Sequence, residues 1–226
     1  MDVDVIYLLL DENKDENLVL KGENFKYLIK ARRHSIGDEI AIRYKKCIDE
    51  LNIYKIEAID GRAVYLKYLS SNIYEVKSDK NLHIAWCKID TKSIEKVLPS
   101  LSEIGVDKIS FISCDRSQNI KLDFKRFERI LEASMQQCGR TTYIKFDTYK
   151  SIEDFIEEYP DTKVFDFCEN SLKDGTGFQR VLIGAEGGFS QNEKELLTSQ
   201  EVFRLDTPMV LRSESAVMAV SSKIIL

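Results

Sequence analysis

Short apolar runs at strand length open the chain. "VIYLLL" (5–10), "EIAIRY" (39–44), "IYKIEAI" (53–59) and "AVYLKYL" (63–69) are rich in Ile, Val and Tyr and predict four strands. Asp60-Gly61 between the last two is a hairpin turn signal. "FKYLIKARR" (25–33) reads as a single helical excursion, followed by a turn at Gly37-Asp38. A small β-barrel over residues 1–70 accounts for these elements. The polar stretch "SSNIYEVKSDK" (70–80) reads as a linker into a second domain, 71–226.

From residue 81 the pattern changes to strands alternating with helices. "LHIAWC" (82–87) and "KISFIS" (108–113) are strands. Between them Ile94, Val97, Leu98, Leu101 and Ile104 recur at helical spacing, with Gly105 as the stop and Pro99 as an expected kink. The clearest helix spans 123–138, with Asp123 as N-cap, an apolar face of Phe124, Phe127, Ile130, Leu131, Met135 and Cys138, and Gly139 after its end. Strands at 143–146, 163–167, 180–184 and 202–205 interleave with helices at 151–159 and 191–198 and from about 214. The fold class is therefore α/β, a mostly parallel sheet with helices on both faces.

Composition narrows the partners. No run of about 18 apolar residues is present, so no membrane-spanning helix is expected. The five cysteines are scattered, with no CxxC pair and no Cys/His cluster; neither a disulfide framework nor a metal site is expected, and the natural setting is a reducing cytoplasm. Net charge is −5, yet it is unevenly spread. Residues 1–20 hold six acids against Lys14, whereas Lys21, Lys26, Lys30, Arg32, Arg33, Arg43, Lys45 and Lys46 face only Glu23, Asp38 and Glu39. With His34, Tyr27 and Tyr44 interleaved, this cluster reads as a phosphate-tracking patch, against the plainer alternative of a solvated surface.

The candidate chemistry sits late in the chain. "LIGAEGGFSQNEKELL" (182–197) is a strand running into a loop with Gly184, Gly187 and Gly188 around Glu186. Ser190 and Glu193 form an S-x-x-E capping box for the next helix. The loop lacks the Gly-Lys-Ser/Thr of a phosphate-binding P-loop and the spacing of a dinucleotide fingerprint. An isolated Gly-Gly would mean only a tight turn. A second loop, "PMVLRSESAVMA" (208–219), places Arg212 and Glu214 at the entry to the last helix, and together the two read as walls of a pocket.

At these residues the chain resembles the RsmE-type 16S ribosomal RNA uridine-N3 methyltransferases of the SPOUT superfamily, whose paired motifs are IGPEGGF and LRxETA. Arg33 and Gly37-Asp38 resemble that family's RxxxGD turn. Lys88, "EIGV" (103–106) and "DRS" (115–117) resemble its K…ELGV…ERS series, and "QCGR" (137–140) the end of its EQxxR segment. The chain departs at Ala185 for proline, Ser215 for threonine, Gln136 for glutamate and Ser100 for lysine, and at Asp206-Thr-Pro-Met209 for Leu-Gly-x-Arg.

The resemblance implies an N-terminal PUA-like RNA-binding barrel and a C-terminal domain with a deep trefoil knot. It implies S-adenosylmethionine as methyl donor, no metal, 16S rRNA of the small ribosomal subunit as substrate, and a homodimer through the knot region. On that pattern Ile183, Gly184, Glu186, Gly187, Gly188, Leu205, Leu211, Ser213 and Ala216 are expected to hold the donor. Arg212 and Glu214 are expected to act in catalysis, and Arg32, Arg33, Arg116 and Arg140 to contact RNA. The final helix, with Val217, Met218, Val220 and Ile224, is the expected part of the subunit contact, with burial inside its own chain as the alternative.

Overall fold

A computed structural model of the protein describes residues 7–173 and 177–226. The first two residues of the expected strand 5–10 lie outside the described residues. The chain divides into two compact units, Met1–Val76 with Met135–Thr142, and Lys77–Ser134 with Tyr143–Leu226.

The first unit is one five-stranded sheet. Its strands are β1 (Leu8–Leu10), β2 (Asn17–Lys21), β3 (Glu39–Tyr44), β4 (Cys47–Asp60) and β5 (Ala63–Ile73), in the order β1-β3-β4-β5-β2. Bulges in the long β4–β5 ladder bend the sheet. All five strands, and the helical segment after β2, send side chains into a single core, among them Leu10, Leu20, Leu28, Ile42, Ile56 and Val64. The β4–β5 hairpin turns at Gly61, whose φ of 58° matches the Asp-Gly signal. The expected helix 25–33 is a single α-turn, α1 (Gly22–Phe25), continuing as a π-helix over Lys26–Ala31. Residues 70–73 extend β5 rather than form a linker. Val76 is tied to Thr141 through backbone and hydroxyl bonds of 2.9–3.1 Å. Gln136 serves the β1 edge: its Oε1 accepts from the Leu9 amide at 2.9 Å and its carbonyl from the Tyr7 amide at 3.1 Å.

The second unit carries a six-stranded sheet of β6 (His83–Cys87), β7 (Lys108–Ile112), β8 (Lys145–Tyr149), β9 (Lys163–Phe165), β10 (Arg180–Ile183) and β11 (Val202–Phe203). The order is β11-β9-β10-β6-β7-β8 and every pairing is parallel. Its helices are α2 (Thr91–Ile104), α3 (Phe124–Cys138, of which the part from Met135 on belongs to the first unit), α4 (Ile152–Glu158), α5 (Gln191–Leu196) and α6 (Ser213–Ile225). Side chains alternate across a strand, so the two faces can be read separately. On one face Trp86 stacks on Phe111, which meets Phe127 of α3. On the other, His83 meets Phe155 of α4. Helices thus cover both faces, and β6 is buried at all five positions. α2 continues through Pro99, whose carbonyl accepts from Ser134 Oγ at 3.1 Å. It ends at Gly105, φ 106°, where an added Cβ would lie 2.7 Å from the Ser78 side chain. Val217, Val220 and Ile224 of α6 are buried within their own chain.

The expectation of no disulfide is overturned. Cys87 and Cys114 form a disulfide across 27 residues of sequence. Cys87 pairs in register with Ile112, so the chain leaving β7 curls back over the end of β6, a proximity that sequence spacing does not show.

Candidate active site

The carboxyl ends of β9, β10 and β11 and the loop into α6 surround a cavity of about 120 Å³. In open parallel sheets this is the end where ligands bind. Strand β10 delivers Ile183 and then the glycine loop. Gly184 is where backbone packs closest: a Cβ there would sit 3.3 Å from the Gly188 Cα. Gly188 takes φ 67°, a left-handed angle that suits glycine, and its amide bonds the Ala185 carbonyl at 2.9 Å. The loop is therefore a tight turn with its main chain turned to the cavity.

A buried hydrogen-bond relay holds the second loop against the first. The Trp86 indole donates to Ser213 Oγ at 2.8 Å, and Ser213 Oγ donates to the Gly184 carbonyl at 2.6 Å. Ser213 is the first residue of α6, so this relay fixes where that helix begins. The 114–118 segment braces the other side. Arg116 donates to the Gly187 carbonyl, and its methylene chain lies where a Gly187 Cβ would point. Ser190 Oγ donates to Asp115 at 2.5 Å. The Ser190–Glu193 capping box forms, and buried Glu193 also accepts from the Asp115 amide at 2.8 Å.

Of the residues expected to hold a donor, Ile183, Gly184, Glu186, Gly188, Leu205, Leu211, Ser213 and Ala216 line the cavity, and Gly187 turns instead toward Arg116. Exposed Arg212 is the N-cap residue of α6, between two lining residues. Glu214 follows in the first turn, and its Oε2 is buried with no hydrogen-bond donor among the described residues. Phe165, Asp166, Phe189, Thr207 and Met209 also line the cavity and escaped the sequence reading. Asp166 was the discoverable one, since it directly follows β9 at the carboxyl end of the sheet; it pairs with Lys194 at 2.9 Å.

The expected RNA-facing residues separate. Arg32 and Arg33 are exposed on the first unit. Arg140 is only 5% exposed, with its Nε on Thr142 and its carbonyl accepting the Tyr7 hydroxyl, so it is a packed residue of that unit. Arg43, counted in the basic cluster, is also buried. Its guanidinium donates to the Ile48 and Tyr74 carbonyls at 2.7 and 2.8 Å, and burial lowers its pKa. Among the described residues no Cys/His/Asp/Glu group could hold a metal ion.

A family described as RNA methyltransferase domain matches residues 76–225. A ribosomal RNA small subunit methyltransferase E of Helicobacter pylori is 34% identical over 214 residues, covering 92% of this chain and 94% of its own. Among solved structures, a Legionella pneumophila protein in complex with SAM superposes with a TM-score of 0.73 at 20% identity, covering 97% and 95% of the two chains. A ribosomal RNA small subunit methyltransferase E of Neisseria gonorrhoeae, bound to S-adenosyl methionine, does so with 0.70 at 16%, covering 96% and 95%.

Proposed function

The chain belongs to the ribosomal RNA small subunit methyltransferase E family, and from that premise we propose that it transfers a methyl group from S-adenosylmethionine to N3 of a uridine in 16S rRNA. The observation that carries this reading is the Trp86–Ser213–Gly184 relay, which holds two main-chain loops together around one cavity. The cavity fits the donor in kind. Gly184 and Gly188 leave backbone uncovered, Phe165, Ile183, Leu205 and Leu211 supply apolar surface for a flat ring, and Glu186 supplies negative charge for a cation. The named relatives that carry this donor support the assignment. When bound, S-adenosylmethionine supplies a methyl group already activated on a sulfonium sulfur.

The protein's own work is then to position the base and manage one proton. Orientation alone can be worth roughly 7–11 kcal/mol in favourable cases. Removing the N3 proton spreads negative charge onto the flanking uracil oxygens, and the Arg212 guanidinium, exposed at the mouth of the loop, is the group we assign to them. Glu214 Oε2 is the one buried carboxylate oxygen without a donor among the described residues, so we assign it to accept that proton. The basic face of the first unit, with Arg32 and Arg33, supplies RNA affinity in this reading, as a PUA-like module. In this reading the last two loops and α6 form the knot of the SPOUT superfamily, and exposed Phe167, Met209 and Val210 are surface for a second copy.

Labelled-methyl transfer to small ribosomal subunits from cells lacking the protein, with the product nucleoside mapped, tests the activity. Arg212→Ala and Glu214→Gln should each lower transfer by at least about 100-fold while calorimetry shows S-adenosylmethionine binding retained. Parallel loss of both would make these residues supports of the loop. Methylation elsewhere than uridine N3 would refute the ring position.

A further inference from the structure

A second cavity, of about 230 Å³, lies within the first unit and is not used in the chemistry above. Its floor is apolar, made by Leu8, Leu28, Ile40 and Ala41, and its mouth carries Tyr27, Arg32 and His34. Arg32 Nε donates to the Tyr27 hydroxyl at 3.1 Å, and its guanidinium lies 5.3 Å from the centre of the Tyr27 ring. His34 is held by Asp38, 3.3 Å from its Nδ1. The backbone under these residues is unusual. The π-helix Lys26–Ala31 is closed by the Arg32 amide on the Tyr27 carbonyl and followed by the His34 amide on Leu28. Between them Arg33 adopts φ 62°, the one non-glycine residue in the left-handed region among the described residues. Segments of π-helix and strained backbone gather at functional sites more than elsewhere.

We propose that this cavity receives the base of one unpaired ribonucleotide of the RNA substrate, flanked by Tyr27 and Arg32, with Arg33 on its phosphate. The proposal rests on the reading of the chain as an RNA methyltransferase. An aromatic ring and a guanidinium plane are the surfaces on which splayed-out RNA bases stack, and an apolar floor accepts a base face that a duplex would hide. Arg32 at the mouth, with exposed Arg33 next to it in the chain, gives the positive charge a nucleotide needs and an apolar peptide does not. The Tyr27 hydroxyl and the His34 ring stand at the rim, able to meet polar groups on a base edge.

The test uses the full chain and a fluorescein-labelled single-stranded RNA of about 12 nucleotides, within the span such binders cover. The same sequence as a duplex is the control. Fluorescence anisotropy should show Tyr27→Ala weakening single-strand binding by about 5- to 150-fold, the range for one lost stacked base. Duplex binding should change little, and Tyr27→Phe should keep most of the affinity. An RNA backbone of the same length with every base removed should bind the unmodified protein more weakly than the intact strand, and that difference should shrink in Tyr27→Ala. Because base removal needs no variant, it decides the matter even if Tyr27→Ala misfolds. Equal losses on single strand and duplex, or insensitivity to base removal, would overturn the proposal and leave plain charge attraction. Methyl transfer to small subunits is measured alongside: transfer without base-dependent binding discards the cavity and keeps the enzyme, and base-dependent binding without transfer does the reverse.

Discussion

Arg33 shows how much one residue can cost. A side chain in the left-handed region costs roughly 1–2 kcal/mol, and this is a place where glycine would sit without strain. Glycine gives back about 0.5–1 kcal/mol through its freer unfolded chain. Arg33→Gly should therefore stabilise the protein by about 0.5–1 kcal/mol, read as a higher urea midpoint at unchanged slope. The same variant should lose RNA affinity, and the salt dependence of binding should fall by about 0.7, one phosphate contact on a single strand. Stability and binding moving in opposite directions would show that the strain is kept for the guanidinium. A fall in stability would show instead that Arg33 packs. Buried Arg43 and Arg140 bear on the same question from the other side, because arginines read alike in sequence and only tertiary packing separates a solvated cation from one that donates inward.

At the scale of elements, legibility follows locality. The Asp60-Gly61 hairpin, the Ser190–Glu193 capping box and the apolar face of α3 each depend on residues within a turn or two, and the sequence carries them. The π-helix was invisible because its bonds shift by one residue without changing the apolar spacing. Strand β2 was missed because only Leu18 and Leu20 of its five residues are buried and an acidic run precedes it. The two glycine-flanked loops were legible as loops, yet the relay that joins them needs Trp86, about a hundred residues upstream. The Cys87–Cys114 bond is of the same non-local kind. Protein kept oxidised should show three reactive thiols when denatured, Cys47, Cys138 and Cys168, and all five only after reduction. Five thiols without reductant would mean that the 114–118 segment is held by hydrogen bonds alone, those of Asp115, Arg116 and Ser117 and the Gln118 amide on the Lys88 carbonyl.

At the scale of the whole molecule, acid stability turns on a buried imidazole. The chain has two histidines, and His83 is the buried one, in β6 between Phe155 and Tyr159 with its Nε2 2.8 Å from Ser110 Oγ. Burial, then the positive charges of Lys108 and Arg180, lower its pKa to about 4. In the unfolded chain it titrates near 6.5. As pH falls below about 6.5 the unfolded state takes up a proton that the native state refuses, so stability is full above that pH and drains away toward pH 4. The slope approaches about 1.4 kcal/mol per pH unit, about 3 kcal/mol in all. Carboxylates whose pKa is lowered by partners, such as Asp90 by Ser93 and Glu50 by Lys14, contribute stability above their unfolded pKa and lose it only below about pH 4.5. Between pH 6.5 and 4.5 the loss therefore belongs to His83. Urea unfolding at several pH values should show it, and His83→Gln, less stable at neutral pH for its lost ring contacts, should give a nearly flat profile across that window. An unchanged slope in the variant would mean that the proton goes elsewhere, and that His83 is charged inside the fold.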